Sequence, residues 1–306
     1  MARKSDSPLH GILLIDKPAG WTSHDVVAKV RRLTGQRRIG HTGTLDPAAT
    51  GLLVLCLGHA TRLVEYITAH DKRYSGEIVL GTRTTTDDAE GAVLETRPVP
   101  SLSDNDFRAI SERFTGPLEQ VPPSFSAVSV AGQRSYAVAR KGGVLELPSR
   151  TVLIHRLELR SAGQGRLTVD VHCGPGTYIR SLARDIGANL GCGAHLAALR
   201  RHGSGTFRIE DSWTLDAVER IAAAGRIGDI LLPADEGMTS FDAAIVGASG
   251  MSELAFGRLY SVESELVREA PVARLYTSDG TFHGVAAVST SGEIRPLKLL
   301  NLGNSA

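Results

Sequence analysis

Residues 40–51 read Gly-His-Thr-Gly-Thr-Leu-Asp-Pro-Ala-Ala-Thr-Gly, a run that neither a regular helix nor a regular strand accommodates. Glycine opens backbone angles closed to other residues, and Pro47 fixes φ directly after the run's single acid, Asp46. The run is therefore expected to form a shaped loop that presents one carboxylate. Upstream lie Lys29, Arg31, Arg32, Arg37 and Arg38, with no Asp or Glu between Val26 and Leu45. A lone acid at the end of a basic stretch suggests a reactive carboxylate facing a polyanion.

At 306 residues the chain is long enough for about two domains. Its net charge is only +1, so a nucleic-acid partner has to be argued from local clusters rather than from the overall balance. Cys56, Cys173 and Cys192 are odd in number and widely spaced, which fits neither a disulfide framework nor a zinc pattern and suits a reducing cytosol. The longest apolar run, Leu52–Leu57, is too short to span a bilayer, and no signal peptide is visible. A soluble, cytoplasmic protein is expected.

Residues 1–8 are polar and expected to be disordered. Gly11–Ile15 reads as a buried strand closed by a turn at Asp16–Gly20. Ser23 is predicted to cap a helix whose Val26, Val27, Val30 and Leu33 form one face, with Gly35 as the stop and the basic residues toward solvent. Residues 75–80 read as a strand, and Ser103 starts a helix with Phe107, Ile110 and Phe114 inward. From Pro122 to Arg150 the pattern loosens into a basic segment carrying Arg134, Arg140 and Lys141, readable as a functional flap or as a solvated excursion. Leu167, Val169 and Val171 alternate with Thr168, Asp170 and His172, the pattern of a half-exposed strand. Thr177 is predicted to cap the next helix, with Ile179, Leu182, Ile186 and Leu190 inward, and Thr214 to open another. Beyond a boundary near 235–250, short apolar segments separated by Asp279-Gly280 and Ser291-Gly292 suggest a small all-β module.

Taken singly, the chemistry-bearing residues stay ambiguous. Asp46 is either functional or a turn residue bonding its own backbone. An aspartyl-phosphate enzyme would want a second acid two residues on, where this chain has Ala48. Gly174-Pro175-Gly176 lacks the third glycine of a dinucleotide fingerprint, since Ile179 holds that place. Arg180, in the first turn of its helix, gains nothing from the helix dipole and suggests a specific anionic partner. Tyr74 is a strand-edge aromatic or a stacking platform for a base, and Arg200-Arg201-His202 is a basic spot that touches phosphate or only water.

Together, Leu14-Ile15-Asp16-Lys17-Pro18, Gly40-His41-Thr42-Gly43-Thr44-Leu45-Asp46-Pro47, Asp71-Lys72-Arg73-Tyr74, Gly176-Thr177-Tyr178-Ile179-Arg180 and Leu199-Arg200-Arg201 closely resemble the tRNA pseudouridine-55 synthases of the TruB family. One departure is Pro175, where many relatives carry a lysine. The resemblance implies an α+β fold with a mixed, mostly antiparallel central sheet flanked by helices and an active site in a central cleft. It implies a catalytic domain over 9–240, with 122–150 as a thumb that clamps an RNA stem-loop, and a PUA-like RNA-binding module over 245–306.

The implied reaction breaks the uracil N1–ribose bond of uridine 55 in the T loop of tRNA and rejoins the ring through C5. It calls for no metal, no cofactor and no guide RNA, and for a chain acting as a monomer. Asp46 would be nucleophile or base, paired with Arg180, and Tyr74 would stack on the uracil and help take the C5 proton. Among substrate-binding residues, Tyr178 belongs to the Arg180 motif, Leu199 would wall out water, His41 would fill the space of the flipped base and Lys17 would support the loop. Lys29, Arg31, Arg32, Arg134, Arg140 and Lys141 would contact the RNA backbone. Two other readings stay open: a nucleoside glycosidase, which needs a paired acid, and a non-catalytic RNA-binding protein.

Overall fold

The computed structural model describes residues 8–126, 129–130, 133–134, 143, 146–261 and 270–300. Its fold is α+β. A 10-stranded mixed sheet carries helices on its faces, and a separate five-stranded sheet follows toward the C-terminus. The large sheet divides into two parts. Strands Gly11–Lys17 and Thr50–Leu57 pair antiparallel in one part, and Lys72–Leu80, Arg150–Gly163, Arg166–Cys173 and Ala194–Ser204 lie in the other. Among the described residues, the two parts are joined in parallel only by the register pairs Arg200↔Thr50 and Arg201↔Gly51. The loop carrying Asp46 enters the strand Thr50–Leu57 at that joint.

The run Leu52–Leu57 is apolar throughout because both faces of its strand are covered. Leu53, Leu55 and Leu57 pack with Leu13, Ile15 and the helices Ser23–Thr34 and Leu215–Ala223, while Leu52, Val54 and Cys56 face the opposite core with Ile12 and Leu14. That opposite core also takes Val285 and Leu300, so the five-stranded sheet packs on the large one as well as around its own Val246, Leu254, Leu275, Ala286 and Ile294. Leu167, Val169 and Val171 are buried as their alternation requires, against the helices Asp104–Arg113 and Ile179–Asn189. Among the described residues, no helix is long and apolar enough to cross a membrane.

Two helix starts differ from expectation, each because a hydroxyl is engaged elsewhere, Ser23 in a tertiary contact and Thr177 in a local turn. Thr22, not Ser23, caps the first helix, in a capping box with Asp25. Ser23 is buried instead, accepting from Leu45 N at 2.9 Å and donating to Leu45 O at 3.1 Å. Tyr178, not Thr177, holds the N-cap position of Ile179–Asn189, while Thr177 donates to Gly174 O across the preceding turn. Ser103 and Thr214 cap their helices as predicted. Of the expected thumb, Arg134 lies in a two-residue strand, Gln133–Arg134, paired with Ser129–Val130, and Arg140 and Lys141 lie outside the described residues.

Gly51 sets how closely the sheet's two parts approach. Its φ is 100°, and a Cβ there would overlap the backbone N and O of Arg201. Gly51→Ala is expected to cost about 3 kcal/mol from left-handed strain and the forced opening of the joint. Urea unfolding of the two proteins measures it, and a loss within error of zero would contradict this account of the joint.

Candidate active site

Asp46 and Arg180 meet as the resemblance implies. Arg180 Nη2 donates to Asp46 Oδ1 at 3.1 Å, and Nε lies 3.0 Å from Oδ2, too poorly aligned to count as a hydrogen bond. The guanidinium is itself buried, and both Nη atoms are engaged: Nη1 donates to Thr86 O at 3.1 Å and to Asp88 Oδ2 at 3.3 Å, and Nη2 also donates to Phe125 O at 2.9 Å. One arginine thus holds two carboxylates and two loop carbonyls.

Asp88 is a site residue that the sequence reading missed. It follows Thr84-Thr85-Thr86-Asp87, a run with loop character but no signal tying it to a motif 40 residues upstream. The loop is placed by backbone bonds to the strand Ala194–Ser204, Leu196 N to Asp87 O and Ala89 N to Leu196 O, each 3.0 Å. Asp46, Ala49, Asp88, Arg180, Leu196 and Leu199 then line a narrow cleft enclosing about 30 Å³, room for about one water. The Asp46 side chain keeps 37% of its surface open to this cleft. Its carboxyl is nonetheless pushed above the usual aspartate range, first by the dehydrating walls around it and then by the charge of Asp88, against the opposing pull of Arg180 and Lys17.

The Asp46 loop has no regular structure, so donors from elsewhere hold it. Lys17 is fully buried, and its ammonium donates to Pro18 O at 2.9 Å, Trp21 O at 2.6 Å and Pro47 O at 3.1 Å. Burial lowers its pKa to about 8 although Asp46 acts in the other direction. Gly20 N also donates to Pro47 O, and Ser23 brackets Leu45. Arg201 anchors the far side: its buried guanidinium donates to Leu52 O at 2.6 Å and Gly43 O at 3.1 Å. Of the expected basic spot at 200–202, Arg201 is thus spent inside the protein, while the partly exposed Arg200 forks onto Asp16 at 3.1 and 2.9 Å.

Tyr74 packs against the core beside Leu199, and burial raises its pKa against the opposing effect of Arg201, so the phenol keeps its proton. Tyr178 is held through its backbone, donating to Gln120 Oε1 and accepting from Gln120 Nε2, with the Arg150 guanidinium 4.8 Å above its ring. Arg150 also donates to Gly176 O, beside Pro175. Of the basic helix, Lys29 is engaged by Glu219 at 2.6 Å and Arg31 by Ile39 O at 2.7 Å, while Arg32 is exposed.

His41 ends a short strand, Ile39–His41, edge-on to His24 with centroids 5.5 Å apart. Burial first, then the charges of His24 and Arg201, lower its pKa from 6.5 to about 4. The unfolded chain thus takes a proton below pH 6.5 that the folded chain refuses until about 4. The stability His41 contributes is complete above 6.5 and falls away as the pH drops toward 4. His41→Asn is expected to flatten the dependence of Tm on pH in this window. An unchanged slope in thermal melts across it would refute the assignment.

With this geometry in hand, the kinship of the chain is plain. It matches the domain described as TruB family pseudouridylate synthase (N terminal domain) over residues 31–179, and the tRNA pseudouridylate synthase B C-terminal domain over 180–239. It is 44% identical over 304 residues to tRNA pseudouridine synthase B of Xylella fastidiosa, covering 99% of each chain. The protein of the same name from Thermobifida fusca is 51% identical over 214 residues, covering 67% of this chain and 73% of the relative. Among solved structures, a chain of an H/ACA RNP bound to a substrate RNA containing 2'-deoxyuridine shares the fold, with a TM-score of 0.72 at 20% identity over 98% of this chain and 92% of the other. The chain belongs to the TruB family of pseudouridylate synthases.

Proposed function

We propose that this protein isomerises uridine 55 in the T loop of tRNA to pseudouridine, without a guide RNA. The observation that carries the reading is the Asp46 carboxylate, held by a buried arginine and facing a cleft walled by Leu199. In the reaction the N1–C1′ bond breaks, the freed uracil turns, C5–C1′ forms, the C5 proton leaves and N1 gains one. Asp46 acts at the sugar–base junction as nucleophile or base. Arg180 and Lys17 favour its charged form, and Arg180 fixes the direction in which it points. Leu196 and Leu199 exclude the water that would turn isomerisation into hydrolysis. Tyr74, its proton retained, stacks on the uracil and orients a water that takes the C5 proton.

A base stacked in folded RNA must first be extruded, at a cost of a few kcal/mol. Backbone contacts from Arg32, the freed ends of Lys29 and Arg31, and the 122–150 segment with Arg134, Arg140 and Lys141 offset that cost.

A T-arm stem-loop tritiated at uridine C5 tests the reading. Tritium release is expected, and Asp46→Asn should lower it by at least about a thousandfold while RNA binding persists. Asp88 supplies the second carboxylate that a glycosidase would need, although it faces Arg180. Free uracil without tritium release would therefore favour hydrolysis, and tight binding without either would favour a non-catalytic RNA-binding protein.

The same chemistry makes a pH prediction. Asp88 pushes the Asp46 carboxyl upward, and without its charge Arg180 would attract Asp46 more strongly. Asp88→Asn is expected to move the acidic limb of the kcat/KM profile to lower pH, because Asp46 then loses its proton more easily. A limb that stays in place or moves upward would remove Asp88 from this role.

A further inference from the structure

Three metal-ligating side chains converge on one surface, away from the cleft. Asp71 stands just before the strand Lys72–Leu80, His172 near the end of Arg166–Cys173, and His155 on Arg150–Gly163. His155 Nε2 lies 3.0 Å from Asp71 Oδ2, His172 Nε2 lies 3.8 Å from the same oxygen, and the two imidazole centroids are 4.7 Å apart. All three donor atoms fall within 4.8 Å of one another. Metal bonds of about 2.1 Å place tetrahedral donors about 3.4 Å apart, and the two measured separations straddle that value.

A backbone irregularity creates the cluster. Counting back from the buried Leu159 and Leu157, position 155 should also face the core. A β-bulge between Ile154 and Arg156, opposite His172 and Cys173, breaks that register. It buries Ile154 and turns the His155 ring outward to His172. Bulges re-aim side chains in this way, and this one gathers a second imidazole beside Asp71.

We propose that Asp71, His155 and His172 form a site for a divalent transition ion of the zinc class, with the fourth position left to water. Two imidazoles and one carboxylate suit such an ion, whereas magnesium and calcium prefer sets of oxygens. Asp71 and His172 also line a cavity of about 450 Å³ with Tyr66, His70, Arg73 and Phe241, which gives an ion a path in. The ion would clip three neighbouring strands three residues upstream of Tyr74. It takes no part in the isomerisation, so this site stands or fails independently of the proposed reaction.

Full-length protein stripped with a chelator and titrated with Zn²⁺ by calorimetry provides the test. One ion per chain is expected, with a rise in Tm on loading. His155→Gln and His172→Gln should each weaken uptake more than tenfold and abolish the rise, while their metal-free melts report whether they fold. His59→Gln, in the separate His10–His59 stack, should change neither. Absence of stoichiometric uptake would overturn the proposal, as would uptake that survives both histidine substitutions or is lost with His59.

Discussion

A buried guanidinium between two carboxylates is the interaction on which the arrangement turns. Burying a charge costs several kcal/mol unless its hydrogen bonds are met. The two Nη atoms of Arg180 meet theirs with Asp46, Asp88, Thr86 O and Phe125 O, and its Nε lies against the Asp46 carboxylate as an ion pair. The partners come from three stretches of chain, so the arginine draws the 42–49 loop, the 85–91 loop and the 121–126 segment to the helix Ile179–Asn189. Burial first, and then the charge of Asp88 on the same cation, keep the Asp46 carboxyl above its usual range beside an arginine.

The loop that presents Asp46 is stiff without being regular. Donors reach its carbonyls from both sides: Lys17 and Gly20 at Pro47, Ser23 at Leu45, and Arg201 at Gly43. Lys17 and Arg201 are cations buried within the protein, so their charges shape the cleft's field as well as its geometry. A carboxylate held this way approaches a reacting atom without first reorganising.

The sheet supplies the setting. Its two parts meet over two register pairs, and the Asp46 loop and Arg201 lie at that seam. Gly51 keeps the strands close there, while the wall formed by Leu196 and Leu199 comes from the strand across the seam. The C-terminal sheet shares a core with Ile12, Leu14, Leu52 and Val54, so it buttresses the strand that follows the loop.

Local order was open to reading along the chain. Alternation marked Leu167, Val169 and Val171 as buried, Ser103 and Thr214 announced their helices, and Gly35 in the left-handed region closed the first one. The motifs also brought Asp46, Tyr74 and Arg180 forward, because each residue carries its chemistry in its own side chain. Whatever depended on a partner far away in sequence was hidden. Ser23 looks like a cap until Leu45 claims its hydroxyl, and Arg201 looks like part of a surface patch until Leu52 and Gly43 draw it inward. Asp88 and the Asp71–His155–His172 cluster gave no linear signal, since a loop stitched to a distant strand and a bulge that breaks strand register created them. Side-chain type and spacing are written residue by residue, but which charges meet is settled by how the strands register and where burial leaves a donor without water.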